Sequence, residues 1–143
     1  MQIEIVTKVD DELYQAFQRL IPQLTTNNPP PSLNDLTALV RDSASTLIIA
    51  RSEENKIIGA LTLIVYRVPT GTRSIIEDVI VDKSARGQGV GEALMKRAIE
   101  LARKKGAGNI SLTSNAMREA ANRLYLRMGF KKRETNVYQM KLE

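Results

Sequence analysis

Arg86-Gly87-Gln88-Gly89-Val90-Gly91 concentrates the groups of this chain best suited to bind an anion. A β-prone run, Ser74 to Val81, precedes this stretch, and an amphipathic run beginning at Glu92 follows it. Strand, glycine turn and helix N-terminus in that order form an anion site. The first helical N–H groups have no partner within the helix, and the macrodipole places partial positive charge there. Glycines let the backbone approach phosphate oxygens, and Arg86 can add a charge-assisted hydrogen bond. The ligand that suits such a turn is a pyrophosphate. The spacing matches neither common nucleotide fingerprint. A P-loop and a dinucleotide turn both require Gly at the position five after Gly87, which here is Glu92. A Gly-rich strand-to-helix turn without a ligand is the plain alternative.

Composition narrows the chemistry. The chain has 143 residues, 43% of them hydrophobic, which suits one domain, residues 1–143, with an aliphatic core. It contains no Cys and no His. Disulfides, thiolate or common imidazole metal sites, a Cys nucleophile and a His-based triad are therefore excluded. A general base must be a carboxylate, a Tyr, a Lys, a terminus or a water chain. The net charge of +5 favours an anionic ligand. The basic residues are dispersed apart from Lys131-Lys132-Arg133, and aromatics are few, which favours a small anion over nucleic acid. No apolar run approaches the ~20 residues that span a bilayer, and Met1 to Ile5 lacks signal-peptide character, so the expected location is the cytoplasm.

The elements that must position the turn follow from periodicity and caps. Gln2 to Thr7 reads as a strand. Asp10 or Asp11 can cap a helix with Leu13, Phe17, Leu20, Ile21 and Leu24 on one face, which Pro22 is expected to end or distort. Thr25 to Pro31 is a stiff loop, and Ser32 with Asp35 resembles a capping box for a second short helix. Thr46 to Arg51 and Ile57 to Tyr66 form an antiparallel hairpin, Arg67 to Thr72 a loop, and Ser74 to Val81 a fourth strand. A helix from about Gly89 to Lys105 stops at Gly106-Ala107-Gly108. Asn109 to Thr113 is a fifth strand, Arg118 to Met128 a fourth helix, and Phe130 to Leu142 two short strands meeting near Thr135-Asn136. The fold class is mixed α/β, and the β-α-β unit around the glycine turn is expected to carry parallel strands.

A second constellation lies downstream. Leu112-Thr113-Ser114-Asn115 is followed by Arg118, Ala121, Tyr125 and Gly129-Phe130. Together with Arg86, Gly89 and Gly91, this pattern resembles the GNAT acetyltransferase superfamily across nearly the whole chain. The resemblance implies a central twisted mixed sheet of six to seven strands flanked by four helices. It implies acetyl-coenzyme A as co-substrate, with coenzyme A as product. The pantetheine arm would lie along the backbone of Val79, Ile80 and Val81, and the pyrophosphate on Arg86, Gly87, Gln88, Gly89, Val90 and Gly91. Tyr125 matches the Tyr that many members place near the cofactor sulfur, where a phenol can protonate a departing thiolate. Its alternative is a packing Tyr on a helix. Asn115 and Asn122 are candidate partners for the pantetheine, and Asn115 can equally cap the following helix. Many relatives carry a second Asn where this chain has Arg118, and relatives with this variant often have His at position 122.

For the base, Glu77 and Asp78 stand on the fourth strand. As strand neighbours they should point to opposite faces, so at most one would face the acceptor, and Glu77 is the choice, directly or through water. The expected reaction is direct attack of an amine in a ternary complex, with a fourth-strand N–H polarising the thioester carbonyl. The alternative is a non-catalytic acetyl-coenzyme A sensor. The resemblance places the acceptor against Thr25–Pro31, Arg67–Thr72 and Asn136–Tyr138, with Asp35 and Asp42 able to attract a cation. A small amine and a peptide or protein amine both stay open. The family commonly forms homodimers.

Overall fold

The computed structural model describes all 143 residues. In chain order they form β1 (Gln2–Ile5), α1 (Asp11–Leu24), α2 (Leu33–Arg41), β2 (Ser45–Arg51), β3 (Ile57–Val68), β4 (Gly71–Val81), a short 3-10 turn (Lys83–Ala85), α3 (Val90–Lys104), β5 (Ile110–Ser111) and α4 (Glu119–Arg127). The chain divides into two compact units, Met1–Leu112 and Thr113–Glu143.

The first unit holds one five-stranded sheet in the order β1-β2-β3-β4-β5. The first four strands pair antiparallel, and β5 joins β4 in parallel. The parallel pair brackets α3 and is the β-α-β unit read from the sequence. Both helix starts in the first half are capped as expected. Asp10 accepts the Leu13 N–H at 2.9 Å, and Ser32 and Asp35 exchange two bonds of 3.0 Å.

Helices cover the sheet on both faces. Ala60 and Ile80, a cross-strand pair, join the core formed by Leu13, Phe17 and Leu20 of α1 and Leu36 of α2. Gly59, one residue earlier and so on the opposite face, meets α3: a Cβ there would lie 3.0 Å from a Val90 methyl and 3.2 Å from a Leu94 methyl. The sheet is therefore a middle layer between α1 with α2 and α3.

Three local expectations change. Pro22 does not end α1, which runs on to Leu24. So close to the C-terminus the proline removes one ladder bond, to the Gln18 carbonyl, and Thr25 still donates to Ile21 at 2.9 Å. The loop read at Arg67–Thr72 shrinks to Pro69-Thr70, because β3 and β4 pair as far as Val68 and Gly71. The fifth strand shortens to Ile110–Ser111.

The sheet has five strands, not six to seven. The missing strands are those read between Phe130 and Leu142, where no strand forms. Val137, Tyr138, Met140 and Leu142 are 75%, 88%, 81% and 84% exposed. Their apolar character signalled strands, but a pair of strands needs a buried face to be stable, and here none is buried.

Candidate active site

The sheet delivers β4 to the glycine turn that precedes α3. Asp82, 4% exposed, ends the strand and accepts the Ser84 N–H and hydroxyl, each at 3.1 Å. Arg19 of α1 donates to Asp82 at 3.2 Å and to the Ile57 carbonyl at 2.6 Å. Burial pushes the Asp82 carboxyl up, but its bonds to Ser84 and Arg19 outweigh that and hold it below the usual range. Gln23 of α1 adds a bond from the Lys83 N–H at 2.8 Å. The sequence reading missed Arg19 and Asp82. Only the position of Asp82 two residues before Ser84 carried a local signal, and nothing in the sequence paired it with Arg19.

Beyond the 3-10 turn, Gly87 and Gly89 adopt left-handed backbone, φ 78° and 80°. Non-glycine residues rarely accept that conformation. A Cβ at either position would meet no atom within 4 Å, so both glycines border open space. Gly89 is the N-cap of α3 and supplies no side-chain cap. The Val90 and Gly91 N–H groups therefore open α3 without an intrahelical partner, as an anion site requires. The Arg86 Nε folds back onto the Val81 carbonyl at 3.2 Å, which leaves its terminal nitrogens available. Gln88 lies between the two left-handed glycines.

The β4 edge ahead of this turn is open. β5 pairs only with Ser74 and Ile75, so Glu77 through Val81 have no partner strand on that side. Val79, Ile80 and Val81 thus present backbone groups that an extended chain can pair with, while the Ile80 side chain is in the core.

A β-bulge interrupts β4 at the same place. Ala60 pairs with Ile80 and Thr62 with Glu77, so Asp78 and Val79 together oppose Leu61. Asp78 sits at φ 52°, left-handed for a non-glycine residue. In an unbroken strand Glu77 would lie on the opposite face from Ile80. The extra residue returns it to the face of its partner Thr62, which is also the face of α1 and α2. Asp78 is the one of the two acids that lines the cavity on this face, whereas Glu77, the residue chosen from the sequence, pairs with the lining residue Thr62 without lining the cavity itself; both are solvent-exposed. Burial, and then the Asp78 charge, push the Glu77 carboxyl above the usual range.

On that face lies a cavity of about 330 Å³. Phe17 and Ile21 of α1, Pro29 and Pro31 of the following loop, Asp35 and Leu36 of α2, and Thr62 and Asp78 of the sheet are among its walls. The loop Thr25–Pro31 and Asp35 are thus gathered with β4, whereas Asp42 caps the end of α2 and bonds Ala44 and Ser45.

The second unit carries the other candidates. Asn115 accepts the Met117 N–H at 2.8 Å in a turn before α4, and its carbonyl accepts from Arg118 at 3.0 Å. The Asn122 amide donates to the carbonyls of Arg118 and Asn115 at 2.8 and 3.0 Å, which ties the start of α4 to that turn. Tyr125, 9% exposed, packs edge-on against Phe130 with ring centroids 6.0 Å apart. Burial raises its phenol above the ordinary value, against a smaller opposing effect of the Arg118 charge.

Comparison with known proteins fits this geometry. The sequence pattern of the acetyltransferase (GNAT) family matches residues 11–130. Glucosamine 6-phosphate N-acetyltransferase of Trypanosoma brucei brucei is 31% identical over 125 residues, covering 82% of this chain and 81% of that protein. Among solved structures, a Trypanosoma brucei acetyltransferase superposes with a TM-score of 0.76 at 27% identity, covering 99% of this chain and 98% of that one. An aminoglycoside acetyltransferase from an uncultured soil sample reaches a TM-score of 0.86 at 21% identity, covering 99% and 96%, and is similar in fold. The chain belongs to the acetyltransferase (GNAT) family. It is an N-acetyltransferase enzyme.

Proposed function

We propose that the chain, acting as one domain over residues 1–143, transfers an acetyl group from acetyl-coenzyme A to an amine by direct attack in a ternary complex. The observation that carries this reading is the continuity of the open β4 edge with the uncapped N-terminus of α3. An extended arm with a pyrophosphate at one end needs that combination. The family pattern, which runs from the first unit into the second, supports a single functional domain.

Acetyl-coenzyme A supplies the activated thioester. Val79, Ile80 and Val81 hold the arm through backbone groups, and Gly87 to Gly91 with Arg86 hold the pyrophosphate. A backbone N–H of the β4 edge polarises the acyl carbonyl. Glu77, paired with the cavity residue Thr62, takes the proton from the attacking amine directly or through water. Its raised pKa makes it a better base than an ordinary carboxylate. The new bond joins the amine nitrogen to the acyl carbon as the carbon–sulfur bond breaks. Tyr125 gives its phenol proton to the departing sulfur. Asn115 and Asn122 keep the start of α4 in place, with the Asn122 carbonyl oxygen left for the arm.

Thermal unfolding with and without acetyl-coenzyme A tests the binding half. At ~100 times its dissociation constant the ligand stabilises the wild type by about 2.7 kcal/mol. The Gly89→Tyr variant, folded but with a side chain in the open space of the turn, gains nothing. A wild type that does not shift at millimolar ligand ends the proposal.

A further inference from the structure

The charge lining the cavity beneath the α1–α2 loop is one-sided. Two carboxylates, Asp35 and Asp78, line it, and no Lys or Arg does. They stand on different elements, one in the first turn of α2 and one at the β4 bulge. The α2 cap orients Asp35: its Oδ2 accepts the Ser32 N–H at 3.0 Å, which leaves the second oxygen for a ligand. The bonds to the Ser32 backbone and hydroxyl also hold this carboxyl below the usual range, so it is charged at neutral pH. Asp78 takes part in no ion pair. Its backbone is left-handed at φ 52°, a conformation that persists only where surrounding structure enforces it and that clusters at ligand clamps. Pro29, Pro31 and Leu36 add stiff apolar wall to the same cavity. A volume of about 330 Å³ is at the small end for ligand sites.

We infer that the acceptor is a compact dication, an amine with a second ammonium group, seated between Asp35 and Asp78 with its hydrocarbon part against the prolines. This rests on the acetyl-transfer reading, because it takes this cavity as the acceptor cleft. Asp35 holds the ammonium that is retained. The other amine then meets the β4 bulge, where Asp78 attracts it and Glu77 takes its proton. A phosphate-bearing amine suits the cavity poorly, since its anion would face two carboxylates and no lining cation. The acceptor class therefore differs from the one in the name of the Trypanosoma brucei brucei relative.

The test compares putrescine, butylamine and glucosamine 6-phosphate as acceptors, read as thiol release from acetyl-coenzyme A. Putrescine and butylamine share a carbon chain and differ in the second ammonium. The wild type is expected to prefer putrescine over butylamine by at least about tenfold in kcat/KM, the scale of one well-placed charge pair. Asp35→Asn loses most of that preference, whereas Asp78→Asn, at the residue facing the reacting amine common to both, lowers kcat/KM for putrescine and butylamine alike. Asp42→Asn, which removes a carboxylate at the other end of α2 and outside the cavity lining, keeps the preference. Equal use of putrescine and butylamine, or preference for the phosphate-bearing amine, overturns the inference while leaving acetyl transfer standing. Where acetyl-coenzyme A binds and no amine is acetylated, calorimetry on the coenzyme A-saturated protein decides. Putrescine binding that Asp35→Asn abolishes upholds the dication site, and no putrescine binding by the wild type overturns it.

Discussion

At Glu77, the proposed general base, burial and the Asp78 charge raise the carboxyl, so folding disfavours its charged form. That penalty is absent below the unfolded-state pKa and complete above the folded-state pKa, so stability falls as pH rises between them. Glu77→Gln should therefore unfold at or above the wild-type temperature at neutral pH, with the difference vanishing in acid, in a thermal melt across pH. The same change should remove the base, lowering kcat/KM by roughly 10²–10⁴ and abolishing the acid limb of the pH–rate profile. Tyr125→Phe keeps the ring that packs on Phe130. Its expected signature is a kcat lower by about 10²-fold or more with acetyl-coenzyme A affinity within a few fold, measured by steady-state kinetics and calorimetry.

At the scale of elements, β3 and β4 position the proposed site. Gly59 lets α3, and with it the glycine turn, approach the sheet: a Cβ would also stand 3.0 Å from the Ile80 carbonyl oxygen, which cannot swing aside as a side chain can. Gly59→Ala should cost about 1–3 kcal/mol in denaturant unfolding by overpacking. A stabilised variant would mean that α3 does not need this close approach. The glycine turn and both N-caps were legible in the sequence because their determinants are neighbours in the chain: Gly87 and Gly89 for the left-handed turn, Ser32 and Asp35 for the capping box. The bulge was not. It arises from the register of β3 against β4, and an Asp at positive φ leaves only a faint mark in the sequence. Unbroken alternation would set Glu77 opposite Ile80, and the bulge sets it with Thr62 instead. The strands read in Phe130–Leu142 failed for a related reason, since apolar spacing reports a tendency and burial decides the outcome.

For the whole molecule, α1 serves two regions. Its Phe17 and Ile21 wall the cavity, and its Arg19 and Gln23 hold the β4 exit and the turn that follows. Arg19→Ala leaves the buried Asp82 carboxylate without its cation, and removing one partner of such a pair is costly. The expected result is a lower Tm together with weaker acetyl-coenzyme A binding, the second seen by calorimetry below the melting range. A variant that loses stability alone would show that the turn does not depend on α1. The positive net charge fits a polyanionic co-substrate, while the two cavity carboxylates supply local charge of opposite sign for an amine.

Acetyl transfer to an amine from a ligand held by β4 and the α3 N-terminus is read at the acceptor itself, by mass spectrometry after incubation with acetyl-coenzyme A and wild type or Tyr125→Phe protein. The expected result is a gain of one acetyl group on an amine with wild type, thiol release in equal amount, and a rate at least about 10²-fold lower with the variant. Thermal stabilisation by acetyl-coenzyme A with no acetylated product on putrescine, butylamine or glucosamine 6-phosphate would contradict it and leave a protein that binds the ligand without transferring from it.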